Sequence, residues 1–421
     1  MKVSTLVLVK IKRFVRVLGP GLVTGASDDD PSGIATYTQA GAAFGFQTLW
    51  TALLTFPLMA SIQEMCARVG LVTSTGLTST LKKHYPRWVL YTMLVFSFPA
   101  ITLNIGADIE GMAAVAHLLL PAIPTFVFSL AIAALVIFVI IRYPYQRIAG
   151  WLKWLCIVLL SYIAVPFMVK VDWGSVFRRT VIPSIHLDKD FMNMLVAILG
   201  TTISPYLFFW QATMEAEDVN CQTKKVVVNK YILGNMKADV DMGMLFSNLV
   251  MFFIILTAGA VLFPNGIHKV DTIDQAAKAL EPLTGRFTYF LFAIGVIGTG
   301  LLAIPVLSGS VSYMLAETFD LSEGLSKTFK EAKAFYITII VAVLLGLCLD
   351  FVGISPINAL IYTAVLYGVT APVMIVIILH ICNNKDIMGE HTNSRFANVM
   401  GWLTFALMTA AAIALIWFQF F

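Results

Sequence analysis

Charge is scarce in this chain. Asp, Glu, Lys and Arg make up 12% of its 421 residues, hydrophobic residues make up 59%, and the mean hydropathy is +0.85. That much apolar surface exceeds what a water-facing domain can bury, which excludes a soluble globular protein and leaves a polytopic α-helical membrane protein. Cysteine is scarce as well. The five present (Cys66, Cys156, Cys221, Cys348, Cys382) show no CxxC spacing, and the six histidines form no metal-ligand pair. Neither a disulfide framework nor a zinc site is indicated. There is no nucleotide-binding motif, which argues against a self-contained ATP-driven pump. The net charge of +4 is accounted for by loop lysines and arginines and implies no nucleic-acid partner. The first residues carry Lys10, Lys12, Arg13 and Arg16 without a clean apolar core or cleavage site, so no removable signal peptide is expected.

What is abundant is long apolar sequence. By the criterion of roughly 20 residues per crossing, about eleven spans are expected. They lie near 18–44, 46–69, 89–118, 122–142, 150–170, 191–213, 236–263, 286–316, 332–352, 355–382 and 396–420. Lys and Arg near span ends are retained in the cytoplasm. The basic amino terminus, Lys82 and Lys83 in the loop from Arg68 to Arg87, the segment Lys224 to Lys230 and the segment Lys327 to Lys333 alternate onto one side. The amino terminus is therefore expected inside the cell and Phe421 outside. Arg178 and Arg179, in the loop 171–190, break the pattern and are read as part of an ordered external cap.

Residues 26–34 read AlaSerAspAspAspProSerGlyIle, three consecutive carboxylates between uncharged flanks long enough together to span a bilayer. An ionisable residue at that depth points to function. Pro31 lacks a backbone N–H and Gly33 lacks a Cβ, so the helix should unwind here and leave backbone groups unpaired. Broken backbone survives at membrane depth only against protein or a wet cavity. A purely structural reading also exists for Asp30: an N-cap with Pro at the first helical position.

A second interruption, GlyThrThrIleSerProTyr at 200–206, falls five spans later. Spans one and six must then cross in opposite directions, as an inverted repeat of five plus five helices produces. The expected unit is one transmembrane transport domain over 1–420. Its first repeat covers about 18–170, its second about 191–382, and an extra helix about 396–420. Such repeats place a substrate between the two broken helices, and Asp30 with a hydroxyl-rich partner selects a cation.

The stretch Gly19 to Trp50, GPGLVTGASDDDPSGIATYTQAGAAFGFQTLW, resembles the first span of the NRAMP divalent-metal transporters, whose AspProGlyAsn signature falls on Asp30, Pro31, Ser32 and Gly33. The sixth span resembles that family's MetProHis segment at Ser204, Pro205 and Tyr206, and Lys385 to Glu390 resembles its last cytoplasmic loop. The resemblance covers nearly the whole chain and implies a LeuT-like fold, with the first and sixth helices unwound at mid-membrane. It also implies metal ligands at Asp30, Gly33, Thr201 and Ser204. Asp29, Ser32, Thr202, Tyr206, Asp108 and Glu110 would lie around the site or along the route. In the family, the Asn side chain and Met thioether bind transition metals and the His is implicated in proton coupling; here those positions are Gly33, Ser204 and Tyr206. A thioether selects soft or borderline ions, so its loss removes that preference. What remains is oxygen: the Asp30 carboxylate, the hydroxyls of Ser32, Thr201, Thr202 and Ser204, and carbonyls freed near Gly33 and Thr201. Mg²⁺ usually keeps several waters on one or two carboxylates, and the smaller side chains leave room for them. These departures resemble the branch of NRAMP-related magnesium transporters.

The hydroxyls could instead bond back to their own helix carbonyls. In the third span Asn104 and Asp108 share a face while Glu110 points elsewhere, a spacing that differs from the family's acidic pair and puts proton coupling in doubt. Glu64 beside Gln63 reads equally as a core pair to a neighbouring helix or as a group with a transport role, and Asn358 as an orienting group for the first unwound segment. Three function classes compete: a carrier for Mg²⁺ that also takes Mn²⁺, a proton-coupled Mn²⁺ or Fe²⁺ importer, and an intramembrane aspartyl enzyme using Asp30 and Asp108. The first is favoured, in the cell membrane. Its partners would be the transported ion and the lipid bilayer, with no cofactor and no obligate protein partner.

Overall fold

The computed structural model describes residues 19–144, 147, 148, 150, 155–220, 228–348 and 353–420. The basic residues Lys10 to Arg16, and Lys224, lie outside the described residues. The described chain is helical, with no strand among its described residues. In order the helices are α1 (Pro20–Asp28), α2 (Pro31–Phe44), α3 (Trp50–Thr73), α4 (Leu77–His84), α5 (Arg87–Leu119), α6 (Thr125–Arg142), α7 (Ser161–Ala164), α8 (Trp173–Val181) and α9 (Lys189–Thr202). They continue as α10 (Pro205–Asn220), α11 (Lys230–Val261), α12 (Ile273–Ala277), α13 (Glu281–Thr284), α14 (Thr288–Phe319), α15 (Lys333–Leu347), α16 (Pro356–Asn383), α17 (Lys385–Met388) and α18 (Arg395–Phe420).

Among the described residues, seven helical segments are long and apolar enough to cross a membrane: Arg87–Leu119, Thr125–Arg142, Lys189–Asn220, Lys230–Asn265, Thr288–Phe319, Pro356–Asn383 and Arg395–Phe418. The described parts of the other four expected spans are helical but fall short for local reasons. The first is split between α1 and α2. Helix α3 is diluted by Gln63, Glu64 and Arg68. The described part of the fifth, from residue 155, is a string of short turns in which 3-10 segments Leu155–Leu160 and Val165–Phe167 flank α7. Helix α15 ends at Leu347, close to residues 349–352, which lie outside the described set. The loop with Arg178 and Arg179 is ordered, as expected: it forms α8, whose first turn is capped by Asp172 Oδ1 accepting from Gly174 and Ser175 N–H.

Both interruptions are made the same way. A residue before proline is pushed out of the α region, and proline then opens the next helix with no N–H to leave unpaired. Asp29 departs from helix geometry (φ −84°, ψ 51°), and Asp30 is extended (φ −70°, ψ 173°) before Pro31. In the sixth span Ile203 turns out of the helix (φ −113°, ψ 61°) and Pro205 opens α10.

Helices α1 and α2 both lie on α11, α9 lies on α16, α10 on α3, and α5 on α14 and α16. Small residues permit the closest of these approaches. A Cβ on Gly25 would collide with the backbone of Gly243, and one on Gly200 with the backbone of Ala364 and Gly368, so each half-helix touches its neighbour main chain to main chain beside its break. The far ends of the two broken helices are also tied down. Asp239 of α11 accepts from Gly19 N–H (2.8 Å) and Gly21 N–H (2.7 Å) at the start of α1. At the end of α10, Tyr313 O–H donates to Glu217 Oε1 (2.5 Å) while accepting from Leu325 N–H (2.9 Å).

Candidate functional site

The two interruptions adjoin in the core. Tyr206 O–H, from the start of α10, donates to the Ser27 carbonyl at 2.9 Å, and Tyr37 Oη of α2 lies 3.1 Å from Thr202 Oγ1 of α9. Gly33 faces the same junction: a Cβ there would sit 3.3 Å from the Asp28 carbonyl oxygen and 3.5 Å from Thr201 Oγ1. The missing side chain thus leaves a gap bordered by oxygen from both broken helices. Asp28, Asp29 and Asp108 are 0% exposed and Asp30 is 2%.

Asp30 has a double role. Oδ1 accepts Gly33 N–H at 2.7 Å, the N-cap anticipated for it, and Oδ2 accepts from Asn104 Nδ2 at 3.0 Å. The same Asn104 amide lies 3.4 Å from Asp108 Oδ2, one turn along α5. Asn104 Oδ1 in turn accepts from Thr363 Oγ1 of α16 at 2.9 Å. Thr363 and Ser32 both reach the Leu360 carbonyl, at 2.8 and 2.9 Å, which closes a ring from Asp30 through α5 and α16 back to the first break. Asp108 Oδ1 is buried without a partner, so the carboxylate beside Asp30 keeps an oxygen free for a cation. Glu110, also buried, lies two residues further and hence on another face of α5.

The second break contributes no charge. Ser204 Oγ donates to the carbonyls of Thr201 (2.6 Å) and Gly200 (3.0 Å), and Thr202 Oγ1 donates to the Ile198 carbonyl (2.7 Å). Both hydroxyls back-bond, yet a hydroxyl that spends its hydrogen keeps acceptor lone pairs that can face an ion. Among the described residues no three Asp, Glu, His or Cys side chains converge closely enough to hold a metal. Hydroxyls, backbone carbonyls or water must therefore complete any shell around Asp30.

Several expectations need correction. The oxygen-only reading overlooked Met251 of α11, whose Sδ lies 3.6 Å from Thr202 Oγ1. Its thioether enters from a helix that neither signature touches. Glu64 does not reach across to a neighbouring helix through an ion pair; it pairs with Arg68 one turn along α3 at 3.4 Å, and Arg68 makes the cross-chain bonds, to Asn393 Oδ1 (2.7 Å) and the Thr392 carbonyl (3.2 Å). On α16 the Leu360 carbonyl receives Ser32 of the first broken helix, and Asn358 donates its backbone N–H to Ser355 at the helix start. Residues missed outright are Tyr37, Ser247, Met251 and Thr363. Tyr37, one turn after Gly33, was detectable by helical spacing. Ser247, next to Asn248, and Met251 and Thr363 lie in largely apolar sequence with no local signature.

The family described as Natural resistance-associated macrophage protein-like matches residues 21–418. A divalent metal cation transporter MntH of Caldanaerobacter subterraneus subsp. tengcongensis is 24% identical over 94% of this chain and 91% of its own length. The protein of the same name from Bacillus subtilis is 25% identical over 95% and 91%. Among solved structures, an Eremococcus coleocola manganese transporter, crystallised with an aromatic bis-isothiourea substituted compound, superposes with a TM-score of 0.77 at 18% identity, covering 96% of this chain and 87% of that one. The inward-facing conformation of Mhp1 superposes with a TM-score of 0.56 at 11% identity, covering 95% and 90%. These relatives and neighbours are transporters rather than enzymes, and the Asn104 amide lies between Asp30 and Asp108 where a catalytic dyad would share a proton. With a family match running from residue 21 to residue 418 over a LeuT-like bundle with two broken helices, this chain belongs to the Nramp family.

Proposed function

We propose that this protein carries divalent metal ions across the membrane by alternating access, with Mg²⁺ the principal cargo and Mn²⁺ also accepted. The ion sits partly hydrated between the two breaks, held by Asp30 with Gly33, Thr201 and Ser204 contributing space and oxygen. One observation supports the reading: at the junction of the breaks the charge is a carboxylate bordered mainly by hydroxyls and carbonyls, with the Met251 thioether beside Thr202 and with a serine and a glycine where the family places its thioether and amide. Such a shell suits an ion that dehydrates reluctantly. Transport is not proton-coupled in this reading. Tyr206 stands at the family's histidine position and its hydroxyl is engaged by the Ser27 carbonyl, so no imidazole is available to exchange protons near neutral pH. The chain is one transport domain of two inverted repeats plus α18, with its amino terminus in the cytoplasm and its carboxyl terminus outside.

A second reading, a proton-coupled Mn²⁺ or Fe²⁺ importer, is favoured by the Met251 thioether beside Thr202 and by the likeness to the Eremococcus coleocola manganese transporter. Reconstitution in liposomes decides between them, with Mg²⁺ and Mn²⁺ influx and internal pH followed in parallel. Mg²⁺ entry, competition between the two ions and a flat internal pH support the first. Mn²⁺ entry with matching acidification and no effect of Mg²⁺ supports the second.

A further inference from the structure

The three consecutive carboxylates do not act on one side of the chain. Asp30 turns to α5, where it meets Asn104, while Asp28 and Asp29 turn to α11, where both meet Ser247. Ser247 Oγ lies 2.5 Å from Asp28 Oδ2 and 3.4 Å from Asp29 Oδ1, so one hydroxyl hydrogen faces two carboxylates. The other oxygen of each, Asp28 Oδ1 and Asp29 Oδ2, is buried without any hydrogen-bond partner. Neither carboxylate has a Lys, Arg or His ion-pair partner among the described residues, and α1 and α2 contain no basic residue. Asp28 also ends α1, so the negative end of that helix and its last carbonyls gather at the same point. Buried carboxylates are paired, hydrogen-bonded or bound to metal, and orphaned oxygens inside a helical core demand an explanation.

We propose that Asp28, Asp29 and Ser247 form a second divalent-cation position, on the α11 side of the broken first helix and separate from the Asp30 position on the α5 side. It rests on the transport reading for the identity of the ion. Two carboxylates match a divalent charge, and the two free oxygens with the serine oxygen supply three hard donors, to which water adds the rest. The two positions share no hydrogen-bonding partner, because the chain turns between Asp29 and Asp30 and sends consecutive side chains to opposite neighbours.

The test is the number of Mn²⁺ ions held by the full-length purified protein, read from the free-Mn²⁺ EPR signal at equilibrium, with Mg²⁺ as displacing ion. The wild type is expected to bind two, D30N one, D28N/D29N one, and the triple variant none. Wild-type binding of two ions that D28N/D29N leaves intact overturns the second position, as does a single ion lost with D30N alone. A single ion lost in D28N/D29N but kept in D30N supports the second position and overturns the Asp30 reading. An S247A protein removes only a neutral oxygen and keeps both charges. It is expected to weaken one of the two ions by roughly tenfold, and wild-type affinity for both ions in S247A counts against the proposal.

Discussion

The two broken helices solve the same backbone problem with opposite chemistry. Each uses a proline to restart the helix and a glycine to sit main chain to main chain on a neighbour, at Gly25 in the first and Gly200 in the second. Yet the first break holds three buried carboxylates and the second holds none. Charge comes from one strand of the junction. The other supplies neutral hydroxyls that are already bonded to their own helix. Loss of charge at the first break should therefore abolish ion binding, whereas changes at the second should retune which ion is held.

The largest effect is expected from Asp30→Asn. The amide keeps the size and the cap to Gly33 but removes the charge, and leaving a buried ion without its partner costs on the order of a hundredfold in affinity. Liposome uptake of Mg²⁺ and Mn²⁺ should both vanish from a protein that still elutes as a single species. Full uptake by that variant would move the site away from the first break. Next is Asn104→Ala, which leaves the carboxylate but frees its orientation; about a tenfold weakening of ion binding is expected, without loss of fold.

At the second break, Ser204→Met introduces a soft donor without altering charge and fills space that bound water needs. Uptake should shift from Mg²⁺ toward Mn²⁺ and Cd²⁺. An unchanged preference would mean that position 204 does not face the ion, and the contrast between the two breaks would then reduce to charge alone.

Much of this arrangement is legible in residue order because its causes are local. Proline and glycine within a few residues dictate both breaks, a carboxylate just before the first proline makes the Asp30 cap, and the hydropathy pattern locates the helices around them. What surrounds the breaks is set by tertiary packing. Ser247, Met251 and Thr363 reach the junction from α11 and α16 out of largely apolar sequence, and no motif around them marks which face turns inward. The same holds for Asp28 and Asp29. Their acidity is plain in the sequence, but their turn away from Asp30 toward α11 is set by the non-helical backbone at Asp29 and Asp30 and by the packing of α1 on α11.

Gly33→Ala probes the gap between the breaks with a smaller change. Gly33 lies in the first turn of α2, where alanine favours helix over glycine by roughly 0.5–1 kcal/mol. The added methyl would nevertheless meet the Asp28 carbonyl oxygen at 3.3 Å and Tyr37 Cε2 at 3.4 Å, in the space assigned to the ion and its water. Thermal stability should hold or rise while Mg²⁺ uptake falls. Unchanged uptake would place the ion elsewhere along the junction.

The smallest effect concerns how the two broken helices are anchored at their far ends. Helix α1 is held by the Asp239 carboxylate accepting backbone N–H groups, whereas α10 is held through Glu217 and Tyr313 against the segment that carries Glu323. Burial pushes the Glu323 carboxyl up to about 8, with repulsion from Glu317 and Glu217 in the same direction and Lys327 opposing. A carboxyl raised in the folded state binds its proton more tightly there than in the unfolded chain. Its contribution to stability is therefore complete below the ordinary carboxylate range and is lost as pH rises through about 8. The melting temperature of the wild type should decline from about pH 5 to about pH 8, and Glu323→Gln should flatten that part of the decline, modestly because the group is partly open to solvent. An identical pH profile in the two proteins would show that Glu323 does not contribute to the pH response at this end.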